Sequence, residues 1–330
     1  MCMPKAEDKK DKDIYQKFLE KKHSAFETSG NLIERVVKKA TGSNLIKRER
    51  IIAGEVNEVY DVVTERGQNI IVRISRLGRQ NFETEEKVIR LALMAGVPAP
   101  KVLLIEQVSS GSENPTFCVE EKIEGEPLTA LMGTLDKDIL KSIISESGKI
   151  LSKIHGVTVD SFGHLDGTTS FKTWQDYIFS MMERKGRIVE VGKRIGIDSG
   201  LIDKAFRLLG ENKEIFQIEK PKLLHGDFSP KHLLVKDNHI TGIIDFESAK
   251  GGDPVSDLAR VDFFYSDSFP IDWVKAGYGS KDLFGENFEM KMKLYRLHLG
   301  LGLLDYYDSE KNEAGLIHTK PRFIKELENF

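Results

Sequence analysis

Residues 224–235 read LHGDFSPKHLLV, and after a short turn the chain continues ITGIIDFESAKGGDP (240–254) and VSDLA (255–259). Two charged clusters bracket two apolar runs. His225, Asp227, Lys231 and His232 precede the first run; Asp245 and Glu247 follow the second. With a turn at Asp237-Asn238, the runs predict a β-hairpin. That hairpin brings Asp227, His232 and Asp245 to one end. Carboxylates gathered on one loop edge repel each other, and a divalent cation carrying phosphates relieves the repulsion. Phosphoryl transfer uses such a set: one carboxylate orients the attacking hydroxyl, and two groups hold the metal. The residues alone also allow a plainer reading, since Gly-Asp is common in turns and an aspartate ending a strand can cap one.

Upstream, runs 45–53, 58–65 and 69–75 predict strands, 82–95 a helix, and 101–108 and 116–123 two more strands joined by a polar loop at 109–115. Three strands, a helix and two strands predict an antiparallel sheet with a helix packed on it. Before the sheet, Leu32, Ile33, Val36, Val37 and Ala40 lie on one face of a short helix. Gly125-Glu126-Pro127 reads as a link, and beyond it the pattern is mainly helical, clearest over 136–154 and continuing at 174–220 and 286–307. The organisation expected is a disordered tail (1–11), a first lobe (12–124) and a second lobe (125–330).

The 330 residues are 40% hydrophobic, and 49 basic against 52 acidic side chains leave a net charge of −3. That balance gives no reason to expect a nucleic acid or an anionic membrane as partner. Two cysteines, Cys2 and Cys118, predict neither a disulfide framework nor a thiolate metal site. The polar N-terminal residues lack a signal-peptide core and no apolar run reaches membrane-spanning length, so a cytoplasmic location is expected.

His225-Gly226-Asp227, Ile244-Asp245, Gly252-Asp253-Pro254 and Asp257-Leu258-Ala259, in that order, resemble the catalytic region of the aminoglycoside phosphotransferase (phosphotransferase enzyme) family, a branch of the protein-kinase-like fold. The likeness spans roughly residues 44–308. It implies an α+β fold of two lobes: a small five-stranded antiparallel sheet with a helix, and a large, mainly α-helical lobe. It further implies an enzyme that transfers the γ-phosphate of ATP or GTP, with Mg²⁺, to a hydroxyl of a small-molecule acceptor. Such an acceptor is an aminoglycoside- or macrolide-like antibiotic or a metabolite, and the protein a monomer or weak homodimer.

By the same likeness, Asp227 is catalytic and His232 and Asp245 hold the metal. His232 stands where the family usually has Asn; the double-prime-ring aminoglycoside phosphotransferases and the macrolide phosphotransferases, which this segment resembles, carry His there and are active. Gly54 and Asn57 lie in the segment that resembles the nucleotide loop. Arg73 takes the place of the phosphate-binding lysine, with Glu85 as its partner and Glu86 as the alternate. The carbonyl of Glu121 and the amide of Ile123 correspond to the base-binding hinge. Trp174, Asp176, Tyr177 and Glu183 fall in the acceptor-binding segment, with Glu247 as a further contact. His225 and Asp257 support the catalytic loop, and His155 is a packing or capping residue at the end of its helix. The competing reading is a nucleotide-binding kinase-like scaffold without transfer activity, favoured by His232 and by the glycine-poor loop.

Overall fold

The computed structural model describes residues 16–24, 27–52, 54, 57–76, 81–109, 114–165 and 170–330. The expected disordered tail, the last residue of the expected first strand (53) and parts of the expected loops at 54–57 and 109–115 lie outside these. The chain forms two compact units. One comprises residues up to Arg90 with Ala99–Glu124, the other Leu91–Pro98 with Gly125–Phe330.

The first unit is built on a five-stranded antiparallel sheet: β1 (Leu45–Ile51), β2 (Glu58–Thr64), β3 (Asn69–Ser75), β4 (Val102–Gln107) and β5 (Thr116–Glu121), in the order β1-β2-β3-β5-β4. β-Branched residues dominate β2 and β3, whose short connection turns at Gly67 with φ +74°. The helix Gly30–Thr41 covers one face. Ser29 caps its start by accepting from the amide of Leu32, and Gly42 ends it in the left-handed region at φ 68°. Ile33, Val36 and Val37 on this helix are buried with Val62, Ile70, Val72, Ile74, Phe117 and Val119 of the sheet. Each such side chain contributes about 1.5–3 kcal/mol through burial.

In the second unit the long helix Lys137–Gly156 is capped by Asp136 and buries Ile143, Ile144, Ile150, Leu151 and Ile154. Two small antiparallel sheets sit among the helices. One has the order β10-β9-β6 (β6, Glu126–Pro127; β9, Leu233–Lys236; β10, His239–Ile243). The other has the order β7-β11-β8 (β7, Gly163–His164; β8, Lys222–Leu224; β11, Lys250–Gly252). The β9–β10 connection is the expected one: Asp237 and Asn238 both have positive φ (52° and 63°), the twist a two-residue hairpin requires.

The short strands β6, β7, β8 and β11 carry too few residues for a sequence period. The last helix, Glu313–Glu328, also went unanticipated, because it contains Pro321, a residue that ordinarily ends a helical pattern. No helix among the described residues is long and apolar enough to cross a membrane.

Candidate active site

The turn after β8 carries the His-Gly-Asp triplet. Gly226 holds φ +79°, and a Cβ there would lie 1.8 Å from the carbonyl oxygen of Ser248, so only glycine fits. Asp257, in the first turn of the helix Val255–Tyr265, fixes the turn from below. Its carboxylate accepts from the amides of His225 (2.8 Å) and Gly226 (2.9 Å). Behind it His155 bridges Asp257 Oδ2 (3.1 Å) and the Tyr278 hydroxyl (2.8 Å). Burial opposes ionisation of Asp257, but the hydrogen bonds from His155 and from the Gly226 amide prevail and hold its pKa below the usual range.

The two histidines of the turn have definable tautomers. His225 Nδ1 accepts from the Asp227 amide (3.3 Å), leaving its Nε2–H to donate to the Ile244 carbonyl (3.1 Å). Burial pushes His225 down to about 4, so it is a neutral brace. His232 Nδ1 donates to the Asp227 carbonyl (2.9 Å), which leaves the Nε2 lone pair facing Asp245 Oδ2 at 3.0 Å. Two acceptors at that separation need a cation or a shared proton between them. The distance matches the edge of an octahedron whose bonds are ~2.1 Å, the length magnesium demands. Ligand atoms of Asp227, His232 and Asp245 all lie within 4.8 Å of one another. Asp245 reaches this position through a left-handed backbone (φ 70°), which aspartate tolerates better than most residues.

Asp227 itself is mostly buried and doubly paired. Arg260 Nε donates to Oδ1 at 2.6 Å, and Lys231 Nζ lies 3.1 Å from Oδ2. Burial alone would raise its pKa; Arg260 and Lys231 outweigh that and hold the carboxyl well below the ordinary carboxylate range. Lys231 stood out in the sequence as part of the charged cluster. Arg260 did not, although its spacing, three residues after Asp257 on a helix, was the available signal.

In the first unit Arg73 Nη1 lies 2.8 Å from Glu85 Oε1 and 3.7 Å from Glu120 Oε2, and its guanidinium covers the Phe82 ring at 5.3 Å. Glu86 instead pairs with Arg90 on the exposed side of its helix. Gly54 has φ +80°, with no atom of the described residues within 4 Å of where a Cβ would stand, and its carbonyl meets His23 Nε2 at 3.0 Å. Asn57 is buried, and its Oδ1 has no partner among the described residues. The amide of Glu121 donates to Lys101, that of Lys122 to Asn69, and the amide of Ile123, the next residue, makes no hydrogen bond among the described residues.

The acceptor candidates divide. Trp174 is 1% exposed, and its Nε1–H donates to Tyr295, which donates to Asp253. Asp176 forms a capping box with Thr173. Tyr177 stacks on Trp174 with ring centres 4.7 Å apart, and Lys250 Nζ donates to its hydroxyl at 3.4 Å. The Lys250 side chain also packs beside Gly226, so it links Tyr177 to the catalytic turn. Glu183 and Glu247 are exposed. Lys250 was not singled out in the sequence.

Residues 47–280 match the phosphotransferase enzyme family. Hygromycin-B 4-O-kinase of Escherichia coli is 22% identical over 200 residues, 60% of this chain. The match spans 57% of that relative's length. Among solved structures, aminoglycoside phosphotransferase APH(4)-Ia in complex with ADP and hygromycin B superposes with a TM-score of 0.71 at 19% identity, covering 90% of this chain and 98% of that one. APH(2")-IIa with gentamicin gives 0.63 at 16% identity, covering 92% and 99%. The architecture is thus α+β and protein-kinase-like, with the five-stranded sheet in one unit and a mainly helical second unit.

Proposed function

The chain belongs to the phosphotransferase enzyme family, and on that premise we propose that it transfers the γ-phosphate of ATP or GTP to a hydroxyl of a small molecule. The observation that carries the reading is the convergence of Asp227, His232 and Asp245 within 4.8 Å, with Asp227 held ionised by Arg260 and Lys231. Asp227 accepts a hydrogen bond from the acceptor hydroxyl and aims its oxygen at the γ-phosphorus. The new O–P bond forms as the bond from phosphorus to the β–γ bridging oxygen breaks, and ADP or GDP leaves. A carboxylate held so firmly ionised is a weak proton sink, so the hydroxyl proton moves late, onto the transferred phosphoryl group. A loose transition state asks for positioning and charge more than for a strong base.

His232 and Asp245 would hold a magnesium ion, which when bound neutralises phosphate charge. Arg73, kept in place by Glu85, contributes a fixed positive charge to the non-transferred phosphates. Gly54 and Asn57 cover them, while the Glu121 carbonyl and Ile123 amide hold the base. The bonding capacity left open at Asn57 Oδ1 and at the Ile123 amide supports those roles. The relatives act on or bind hygromycin B and gentamicin, which supports an aminoglycoside-class acceptor and a part in antibiotic resistance. On the acceptor side the half-buried Tyr177 and Lys250 stand next to the catalytic turn, with Glu183 and Glu247 at the exposed rim. Trp174 supports Tyr177 from behind, and Asp176 fixes the helix start that presents it.

The scaffold reading is disfavoured by the intact Asp227 and Asp245. Phosphate transfer from labelled ATP and GTP to hygromycin B, gentamicin, a macrolide and a panel of sugars and amino alcohols tests the function. A labelled product made by wild type and absent with Asp227→Asn supports it. Tight nucleotide binding without any product from the panel favours the scaffold.

A further inference from the structure

The helix Val255–Tyr265 grips the catalytic turn at two points. Its first turn supplies Asp257, which binds the backbone amides of His225 and Gly226. Three residues on, and so on the same helical face, Arg260 reaches the side chain of the next residue, Asp227. Nε donates to Oδ1 at 2.6 Å, and Nη2 lies 2.5 Å from the same oxygen. One turn further, the Phe264 ring lies beneath the guanidinium, 5.6 Å from its centre. Among the described residues, Asp227 is the only acidic partner of Arg260.

The two oxygens of Asp227 are therefore held in different ways. Oδ1 is engaged by a planar, permanently charged fork that is backed by an aromatic ring and rooted in a helix. Oδ2 faces the ammonium of Lys231, which sits at the end of a flexible stem and is 49% exposed. A long exposed amine gives way to an incoming group easily, whereas a fork with its own stacking partner does not. Removing the guanidinium would free the carboxylate to rotate, while the Asp257 grip on the backbone stayed intact.

Building on the phosphotransfer reading, we propose that Arg260 is a positioning residue for the reaction: it locks the Asp227 carboxylate so that Oδ2, and not Oδ1, receives the acceptor hydroxyl. Lys231 is the partner that yields. Arg260 touches neither acceptor nor nucleotide, and its whole effect passes through Asp227. Its loss should therefore appear in kcat and leave nucleotide binding alone, since misplacing a reacting group by an ångström can cost about 10²-fold in rate.

The test uses the full chain and the release of ADP from MgATP, with water and with hygromycin B as acceptors. Arg260→Met keeps the stem and removes the charge; Arg260→Lys keeps the charge and removes the fork. The expected result is a fall in kcat of about 10²-fold for Arg260→Met with KM for ATP within about twofold, and an intermediate kcat for Arg260→Lys. Guanidinium ion should restore part of the rate to Arg260→Ala and none to Asp227→Asn. A kcat for Arg260→Met within about twofold of wild type would overturn the inference. So would a loss that guanidinium does not recover and that comes with weaker ATP binding, the mark of a general brace. A crystal structure of Arg260→Met gives a readout independent of turnover, and an Asp227 carboxylate still in its wild-type orientation would also overturn it. If Asp227→Asn itself released ADP at the wild-type rate, the phosphotransfer reading would be at fault; normal Arg260→Met beside a dead Asp227→Asn would sink only the role of Arg260.

Discussion

The Nε2 of His232 and the Oδ2 of Asp245 stand 3.0 Å apart, while the other ring nitrogen of His232 is tied to the Asp227 carbonyl. That tie aims the free lone pair at the place where a metal would lie. His232→Asn, which substitutes an amide oxygen, should keep magnesium-dependent transfer. His232→Leu should lose about 10²-fold or more, because Asp245 would be left as the main ligand. Because imidazole suits softer ions than magnesium, wild type should also use manganese comparatively well. Titrating activity against each ion checks this, and full activity of His232→Leu at unchanged magnesium affinity would make His232 structural.

Arg73 is enclosed by two carboxylates, Glu85 and Glu120, and its side chain is only 10% exposed. Arg73→Met would leave both acids without their shared cation, at a cost of about 3–5 kcal/mol in stability by chemical denaturation. Arg73→Lys should fold but show a raised KM for ATP or GTP and a nearly unchanged KM for the acceptor. A change confined to acceptor kinetics would place Arg73 elsewhere in the mechanism.

Burial pushes the His298 imidazole down to about 3, aided by the charges of Lys250 and Arg184. In the unfolded chain the same ring takes a proton near its ordinary value of about 6.5. Between those values only the unfolded state is protonated, so stability is complete above about 6.5 and falls as the pH drops toward 3. At pH 5 the loss from this group is about 2 kcal/mol. Urea denaturation at pH 7.5 and pH 5.0 should show that extra loss in wild type relative to His298→Gln. Equal losses in the two proteins would contradict it.

Gly226→Ala places a methyl group 1.8 Å from the Ser248 carbonyl oxygen at a residue with φ +79°. The catalytic turn cannot absorb both the clash and the strain, so this variant should be inactive and melt well below wild type. Gly67 also has positive φ but open space around its missing Cβ, so Gly67→Ala should cost no more than about 1–2 kcal/mol and retain activity. Comparable damage from both changes would argue that the close approach at Gly226 is unimportant.

Much of this arrangement was legible in the sequence because it is local. β2 and β3 announce themselves by β-branched residues, the β9–β10 turn by Asp237-Asn238, and the metal cluster by two charged groups at the ends of one hairpin. What escaped depends on contacts between distant segments. Arg260 looks like an ordinary helix-face residue until the helix is seen against the turn carrying Asp227, 33 positions earlier. Lys250 becomes informative only when β11 places it between Gly226 and Tyr177. Trp174 falls in the acceptor-binding segment of the sequence, yet the packing of Tyr295 and Asp253 draws it into the core, and Tyr177 is left as the accessible ring.

The central claim is that Asp227 directs the transfer of phosphate from nucleotide to a small-molecule hydroxyl. The most direct measurement follows labelled γ-phosphate into product for wild type and Asp227→Asn, with nucleotide affinity measured alongside. The account predicts that Asp227→Asn loses about 10²–10⁴-fold in transfer while still binding ATP with an affinity close to that of wild type. Product formed by Asp227→Asn at a rate near that of wild type would contradict it.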